Sequence, residues 1–539
     1  MHQMADQHSL GVQAELIRSL TRLLEREGAS VQRFETHLSW VLVEGEFAYK
    51  LKKALRFEFV DFSALEARHF YCQEELRLNR WLAPDLYLSV IGISGTPARP
   101  VMNGPGEPFE FAVKMRAFPQ QALWEQRVRH GILGAEEIDA LARIIAEFHR
   151  NTAIAPPGSS WGAPEALRAC ANENLELIGA AKNDPEDRGL EKLRAWEQAQ
   201  EQTLNSLFLL RKESGFVREC HGDLHCGNIL TAGGRVQVFD CIEFSESLRW
   251  IDVMNDVAFI AMDLQFRDRP DLAARLVDHY VEASGDHDGL AVLRYYRTSR
   301  ALVRSKVAFL RAGQFPPDST DASDALGLGN KYLNFAAQAI QPSRATIMIT
   351  YGYSGSGKST FSGMLLEKIG AIRLRSDVER KRIIGPPPAT VTGGPTETGL
   401  YDPAVTRALY DRLAALTRTI VEAGLPVIVD ATFLHRWQRS IFRKLADELG
   451  VALIILDVRA EPATMRTRIL ERARRGGDPS DADLDVLDHQ LAHDEALTED
   501  EMAQVLVIDS ASDGIPETLR KIAEEVMQDA GSITHSRAL

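Results

Sequence analysis

The chain has 539 residues, more than one hydrophobic core supports, so roughly two to four domains are expected. Its 45% hydrophobic and 26% charged residues are those of an ordinary globular protein. The formal net charge of −14 argues against a surface that binds polyanions over its whole extent, although a local basic groove is compatible with it.

The five cysteines (Cys72, Cys170, Cys220, Cys226, Cys241) form no CxxC pair. They read as small apolar fillers of a protein in a reducing compartment. Cys220, His221, His225 and Cys226 crowd together but match none of the common zinc spacings. The opening MHQMADQHSL lacks the basic and apolar segments of a secretory signal. No apolar run nears the ~20 residues that span a bilayer, so a cytoplasmic protein with no membrane partner is expected.

In chain order, strand signals at 38–43 and 47–51 flank Glu44-Gly45-Glu46 and predict a hairpin. Leu65, Phe70, Leu76, Asn79 and Leu82 recur at helical spacing and predict a helix over 63–82. A strand at 87–93, a Gly- and Pro-rich loop at 95–108 and a strand at 109–116 follow. A helix over 135–150 ends before the breakers Pro156-Pro157-Gly158. Residues 216–244 read as short strands and loops, and helical periodicity then runs from Asp252 to about 310. The polar, Pro-containing stretch 313–323 predicts a loop, and a helix over 328–340 leads to Gln341-Pro342-Ser343. A fresh βα pattern begins at Ala345. The expected division is therefore 1–310, a linker with connecting helix at 311–344, a second domain at 345–530, and a frayed tail at 531–539.

Within the first domain, His221-Gly222-Asp223-Leu224-His225-Cys226-Gly227-Asn228 has the spacing HxDxxxxN, and the apolar run 236–239 ends at Asp240. A carboxylate in a tight loop can orient an attacking hydroxyl, while an amide and a second acid chelate Mg²⁺ on a nucleotide. The arrangement resembles the catalytic loop of the protein-kinase superfamily, specifically its aminoglycoside phosphotransferase-like branch. That resemblance implies Asp223 as base and Asn228 and Asp240 as metal ligands. It also implies a small lobe upstream, with Lys50 gripping the phosphates and Glu75 pairing with it. Lys52 shares a strand face with Lys50, so the choice between them stays open, Lys50 favoured. The strand 109–116 would reach the hinge beside adenine at Met115 and Arg116. No GxGxxG loop is present, so 36–39 would cover the phosphates, and Cys241-Ile242-Glu243 departs from the usual Phe-Gly. Asp252 and Asp256 are expected to brace the catalytic loop.

In the second domain the apolar run 345–351 enters Gly352-Tyr353-Ser354-Gly355-Ser356-Gly357-Lys358-Ser359-Thr360, and a helix follows at 361–369. This is GxxxxGK[ST] in its strand–loop–helix context. Its glycines let successive N–H groups and a helix N-terminus cradle phosphate. Lys358 then reaches the β- and γ-phosphates and Ser359 binds Mg²⁺. A strand at 372–374 ends at Asp377, with Arg380 one turn on. This resembles small P-loop kinases such as polynucleotide, gluconate and zeta-toxin-like kinases, in which the Asp of a DxxR signature approaches the acceptor hydroxyl. The strand 426–429 ends at Asp430, suited to holding a water on Mg²⁺. After a strand at 452–458 comes a basic helix in which Arg468, Arg472 and Arg475 share a face able to close over phosphates. Residues 476–479 read as a hinge or turn, and 505–508 as the last strand.

The expected fold is α/β and multidomain: an N-terminal bilobal protein-kinase-like (α+β) fold, then a C-terminal P-loop NTPase with a parallel sheet. The tandem order is similar to a bacterial family of fused phosphotransferase-like and ATP-binding proteins. The function this implies is ATP- and Mg²⁺-dependent phosphoryl transfer at two kinase-type sites to a small hydroxylated substrate. Two alternatives stand beside it: a polynucleotide 5′-end kinase in the P-loop half, or one half as a regulatory nucleotide sensor.

Overall fold

The expected hairpin is present in the computed structural model, with Ser39–Glu44 antiparallel to Phe47–Lys52 through the pairs Trp40↔Leu51 and Leu42↔Tyr49. Gly45, at φ +54°, turns the chain between them. The structure describes residues 4–5, 7–25, 30–57, 60–182, 187–341, 345–384, 402–475, 480, 482–510 and 515–532. They form two units, Met1–Arg267 with Tyr296–Ala336, and Asp268–Tyr295 with Ala337–Leu539. Among the described residues, no helix is long and apolar enough to cross a membrane.

The first unit is kinase-like. Its six-stranded sheet runs in the order Val31–Glu35, Ser39–Glu44, Phe47–Lys52, Glu110–Arg116, Tyr87–Thr96, Arg99–Met102. Period-2 alternation gives the strand Phe47–Lys52 two faces. Tyr49 and Leu51 pack with Leu16, Ile17 and Leu20 of the helix Gln7–Glu25. Ala48 lies on the other side, in the cluster with Cys72 of the helix Leu65–Leu82, and Lys50 and Lys52 share its face.

The N-terminal helix was not expected, although its apolar positions at 16, 17, 20, 23 and 24 have helical spacing. The expected loop 95–108 is corrected in part. Arg99–Met102 folds back on Tyr87–Thr96 as a hairpin, and Pro100 is tolerated because that strand is at the sheet edge.

The larger lobe is mostly helical and carries two small antiparallel ladders. Val217–Glu219 pairs with Trp250–Asp252, and Ile229–Ala232 pairs with Arg235–Val238. Gly233 and Gly234, at φ +56° and +75°, make the two-residue turn of the second. The helix Val253–Phe266 is capped by the Asp252 side chain, which accepts from Met254 N. The loop expected over 313–323 is shorter than that: the helix Thr320–Ala339 begins inside it, where Ser319 Oγ accepts the Ala322 N–H at 3.1 Å.

The second unit holds a five-stranded parallel sheet in the order Ile372–Arg375, Val427–Asp430, Thr346–Tyr351, Ala452–Arg459, Val505–Asp509. The strand leading into the P-loop is central, with Ile347, Met348 and Ile349 fully buried, as a strand covered on both faces requires. Strand order reverses at this strand, which opens a crevice beyond the carboxyl ends of the sheet. The segment expected at 476–479 lies outside the described residues, as do 533–539 of the tail expected over 531–539, whose first two residues end the helix Ile515–Ser532.

The outer strand Ile372–Arg375 is covered by the helix Pro270–Ser284. Asp278 Oδ1 accepts the Arg373 N–H at 2.6 Å, and Arg275 pairs with Glu367 at 2.6 Å. An edge strand protected in this way does not template further pairing. Burial pushes the Asp278 carboxyl up to about 7, against the pull of Arg373.

A folded-state pKa above the unfolded one means that the folded protein binds the extra proton. This group's contribution to stability is therefore greatest in acid and is lost as pH rises towards 7. Asp278→Asn keeps an acceptor but cannot ionise. Its melting temperature, relative to wild type, should rise between pH 4.5 and pH 8. Parallel melting curves across that range would refute this role for Asp278.

Candidate active sites

In the first unit, a cavity of about 1260 Å³ is lined by Lys50, Met115, Arg116, Asp223, Asn228 and Asp240, with Thr36, His37, Leu38 and Ser39 among the other lining residues. Lys50 Nζ bonds Glu75 Oε1 at 2.8 Å and Asp240 Oδ1 at 2.6 Å. Lys52 Nζ bonds the other Glu75 oxygen at 2.8 Å and pairs with Glu243. Both lysines therefore face Glu75, but Lys50 reaches the cavity while Lys52 is only 1% exposed.

Burial opposes the charge on Glu75, and the two lysines outweigh it and hold the carboxylate below its ordinary range. Asp240 has φ +65°, a left-handed conformation that costs a residue with a Cβ about 1–3 kcal/mol. Its N–H donates to Tyr87 Oη at 3.3 Å, and the next N–H, of Cys241, donates to Asn79 Oδ1 at 2.9 Å.

The loop from His221 to Asn228 is held from beneath. Asp256, fully buried, accepts His221 N–H at 2.7 Å and Gly222 N–H at 2.9 Å. Asp263 accepts Cys226 N–H at 2.9 Å. Asp252 instead takes Arg211 through two bonds of 2.7 and 2.8 Å, so only one of the two expected braces acts on the loop itself.

Asn228 Nδ2 donates to Asp223 Oδ2 at 3.1 Å, which leaves the amide oxygen as its remaining ligand atom. His225 Nε2 lies 3.4 Å from the same Asp223 oxygen. Burial alone would raise the Asp223 pKa; His225, Arg304 and His221 outweigh it and keep the carboxylate ionised. An ionised acid beside an amide and a second acid fits both a base and a divalent-cation site.

In the second unit, a cavity of about 1190 Å³ is lined by Ser354, Gly355, Gly357, Lys358, Ser359, Thr360, Asp377, Arg380, Asp430, Arg468 and Arg472. Gly352 and Ser356 lie in the loop behind this lining. A Cβ on Gly352 would come within 2.5 Å of Val458 O, and one on Gly355 within 2.6 Å of Met465 O, so both positions require glycine. Ser356 Oγ is buried and, among the described residues, has no hydrogen-bond partner.

A glycine-built cradle with an orphaned hydroxyl at a helix N-terminus fits a nucleotide's phosphates. Lys358 Nζ donates to Tyr353 O at 2.6 Å, Asp430 accepts from Ser362 Oγ at 3.3 Å, and Arg380 Nη1 lies 3.7 Å from Asp377 Oδ1. Arg468 bonds the carbonyls of Gly355 and Ser356, at 3.4 and 3.2 Å, and Ser510 Oγ at 2.9 Å. Arg472 bonds Ala482 O at 2.6 Å. Arg468 thus clamps the P-loop backbone.

The comparisons with known proteins also divide the chain into two parts, with residues 268–295, grouped in the structure with the second unit, falling inside the first match. A phosphotransferase enzyme family model matches residues 69–296, and an AAA domain model matches residues 347–497. Uncharacterized proteins of Mycobacterium tuberculosis and Mycobacterium bovis are each 30% identical over 453 residues, 84% of this chain and 88% of theirs. The chain belongs to their family. A phosphotransferase domain followed by a P-loop kinase-type domain is its organisation.

Among solved structures, a choline/ethanolamine kinase family protein from Mesorhizobium loti is similar at 12% identity and TM-score 0.36, covering 61% of this chain and 99% of that one. A gluconokinase from Sinorhizobium meliloti is similar at 20% identity and TM-score 0.24, covering 36% and 96%.

Several residues of the phosphotransferase and P-loop domains escaped sequence reasoning. Asn79, Tyr87 and Asp263 hold loop backbones from distant elements. Gln490 Oε1 accepts the P-loop Ser354 N–H at 2.8 Å, and Tyr353 Oη donates to Asp494 at 2.8 Å. Gln490 and Asp494 stand four residues apart, but no local pattern ties them to a loop more than 130 residues earlier.

Burial lowers the Lys358 pKa to about 8, against Asp430 and Asp377. A bound phosphate would raise it again, so binding above that pH takes up a proton. In a Lys50→Met background, which isolates this site, nucleotide Kd should be flat below about pH 8 and rise up to about tenfold per unit above it. Calorimetry from pH 7 to 9.5 tests this; a flat profile would contradict it.

Proposed function

We propose that the protein is an ATP:alcohol phosphotransferase with two sites, each transferring a γ-phosphoryl group to a hydroxyl of a small molecule. One observation carries the reading: each unit gathers a cation for phosphate, a carboxylate for the acceptor and oxygen ligands for a metal around one cavity. In the first unit Lys50 grips the phosphates, Asp223 receives the proton, and Asn228 and Asp240 would hold Mg²⁺. In the second the P-loop with Lys358 grips, Asp377 receives the proton, Arg380 contacts phosphate, and Ser359 and Asp430 would hold the metal. Mg²⁺, when bound, neutralises charge on the phosphate oxygens.

In each site the acceptor oxygen forms a bond to the γ-phosphorus. The bond from that phosphorus to the β–γ bridging oxygen breaks, ADP leaves with the electron pair, and the hydroxyl proton passes to the carboxylate.

The test is ATP-dependent product formation over a panel of sugars, nucleosides, hydroxy acids and a 5′-hydroxyl oligonucleotide, with wild type, Asp223→Asn and Lys358→Ala. A product lost only with Asp223→Asn belongs to the first site, and one lost only with Lys358→Ala to the second. Oligonucleotide phosphorylation lost with Lys358→Ala would establish the polynucleotide alternative. Nucleotide binding with no product from any acceptor would favour a sensor over an enzyme.

A further inference from the structure

Buried arginines in this protein are paired. Arg68 bonds Glu110 at 2.9 Å, Arg211 Asp252 at 2.7 Å, Arg249 Glu219 at 3.0 Å and Arg439 Glu501 at 2.8 Å, and Arg373 lies 3.8 Å from Asp278. Arg300 departs from this rule. It is 8% exposed, its Nε donates to Asn255 Oδ1 at 2.7 Å, and its guanidinium lies 4.6 Å from the Phe259 ring centre. Among the described residues it forms no ion pair with a carboxylate.

Arg304 stands one turn further along the same helix, Leu290–Ala312, and so on the same face. Its guanidinium lies 5.7 Å from the Tyr332 ring, again with no ion pair among the described residues. Taking a guanidinium out of water without an ion-pair partner is costly; Arg300 is in that state and Arg304, half-buried and hydrogen-bonded to Tyr332, is its neighbour, so together they suit an anion supplied from outside the chain.

Their position says which anion. Phe259, against which Arg300 lies, also meets the His225 ring at 5.5 Å, and His225 Nε2 is 3.4 Å from Asp223 Oδ2. Asn255 immediately precedes Asp256, which holds the backbone of the Asp223 loop. The neighbouring acids are already committed, Asp256 to two backbone N–H groups and His149, Asp263 to Cys226 N–H and Arg267. Arg304 is also among the charges that keep Asp223 ionised. The pair therefore lies beside the base, on the larger lobe, while the small-lobe residue Lys50 serves the nucleotide.

We propose that the acceptor of the first site carries an anionic group, a carboxylate or a phosphate, close to the hydroxyl that is phosphorylated, and that Arg300 and Arg304 bind it. The inference rests on the reading of Asp223 as the base of that site. It assigns specificity: like-charge repulsion from two guanidinium groups selects against cationic alcohols.

The test is saturation-transfer NMR on the full chain with saturating Mg²⁺–ADP, which fills both nucleotide sites. The probes are glycerol, choline, D-glycerate and glycerol 3-phosphate. Wild type should bind glycerate or glycerol 3-phosphate and neither glycerol nor choline, and the stronger of the two binders identifies carboxylate or phosphate as the source. Arg304→Gln should weaken that binding at least about tenfold. Arg300→Lys, which keeps the buried charge and the fold but loses the fork, should weaken it less.

Equal anion binding by wild type and Arg304→Gln, binding of choline, or no anion binding at all would each overturn the proposal. Turnover is read separately: anion binding through Arg304 with no Asp223-dependent product would refute the phosphotransfer reading and leave the anion site standing.

Discussion

Replacing Asp223 by Asn should lower turnover at the first site by about 10²–10⁴-fold, the usual contribution of a positioned base, while nucleotide affinity there stays within about twofold of wild type. The amide fills the same volume and still accepts from Asn228 Nδ2, so the loop keeps its shape. What it loses is the capacity to take a proton from the acceptor.

The structure makes this substitution informative because the loop does not depend on Asp223 for its position. Asp256 and Asp263 hold the backbone N–H groups of His221, Gly222 and Cys226 independently. Single-turnover assays and ADP titration on the same preparation separate the two effects. Unchanged turnover would remove Asp223 from the mechanism, and a parallel loss of nucleotide binding would make its role structural.

The second large effect separates two lysines that the sequence alone leaves open. Lys52 is buried between Glu75 and Glu243, whereas Lys50 shares Glu75 but also meets Asp240 at the cavity. Lys52→Met leaves two buried carboxylates with one cation fewer, and removing one partner of a buried pair costs about 3–5 kcal/mol. Burial already raises the Glu243 pKa, and losing Lys52 raises it further.

The folded variant therefore binds a proton at Glu243 that the unfolded chain does not. The loss of stability should be largest near pH 8 and shrink as pH falls towards 5.5. Lys50→Met should instead weaken nucleotide binding by roughly 10–100-fold, the worth of a charge-assisted bond, with a smaller change in stability. Urea midpoints at the two pH values check the first claim and ADP titration the second. An equal stability loss at both pH values, or a larger one for Lys50→Met, would reverse the assignment.

How much was legible follows from where each signal resides. The P-loop was readable because its chemistry is contiguous: glycines, lysine and hydroxyl fall within nine residues, between an apolar strand and a helix. Asp223, Asn228 and Asp240 were readable because a short loop and one hairpin join them, so their spacing is fixed by local geometry. Lys50 and Glu75 needed the resemblance to a kinase small lobe, since nothing local brings a strand to a helix 25 residues later.

The supporting shell was not readable. Asn79, Tyr87, Asp263 and Gln490 act through single hydrogen bonds to remote backbone, and polar residues on helices and strands resemble solvated ones until the fold is known. The strand Arg99–Met102 was hidden by its own Gly and Pro neighbours, which mark loops in the interior of a sheet but are ordinary at its edge. The helix Pro270–Ser284 has ordinary amphipathic spacing, and no sequence signal indicates that Asp278 on it caps an edge strand 95 residues on.

The central claim is that one chain carries two independent nucleotide sites of kinase type. Its most direct test is the stoichiometry of Mg²⁺–ADP binding to the full chain by calorimetry, with Lys358→Ala and Lys50→Met alongside. Two nucleotides per wild-type chain and one in each variant is the predicted result. One nucleotide per wild-type chain, abolished by one substitution and untouched by the other, would contradict it.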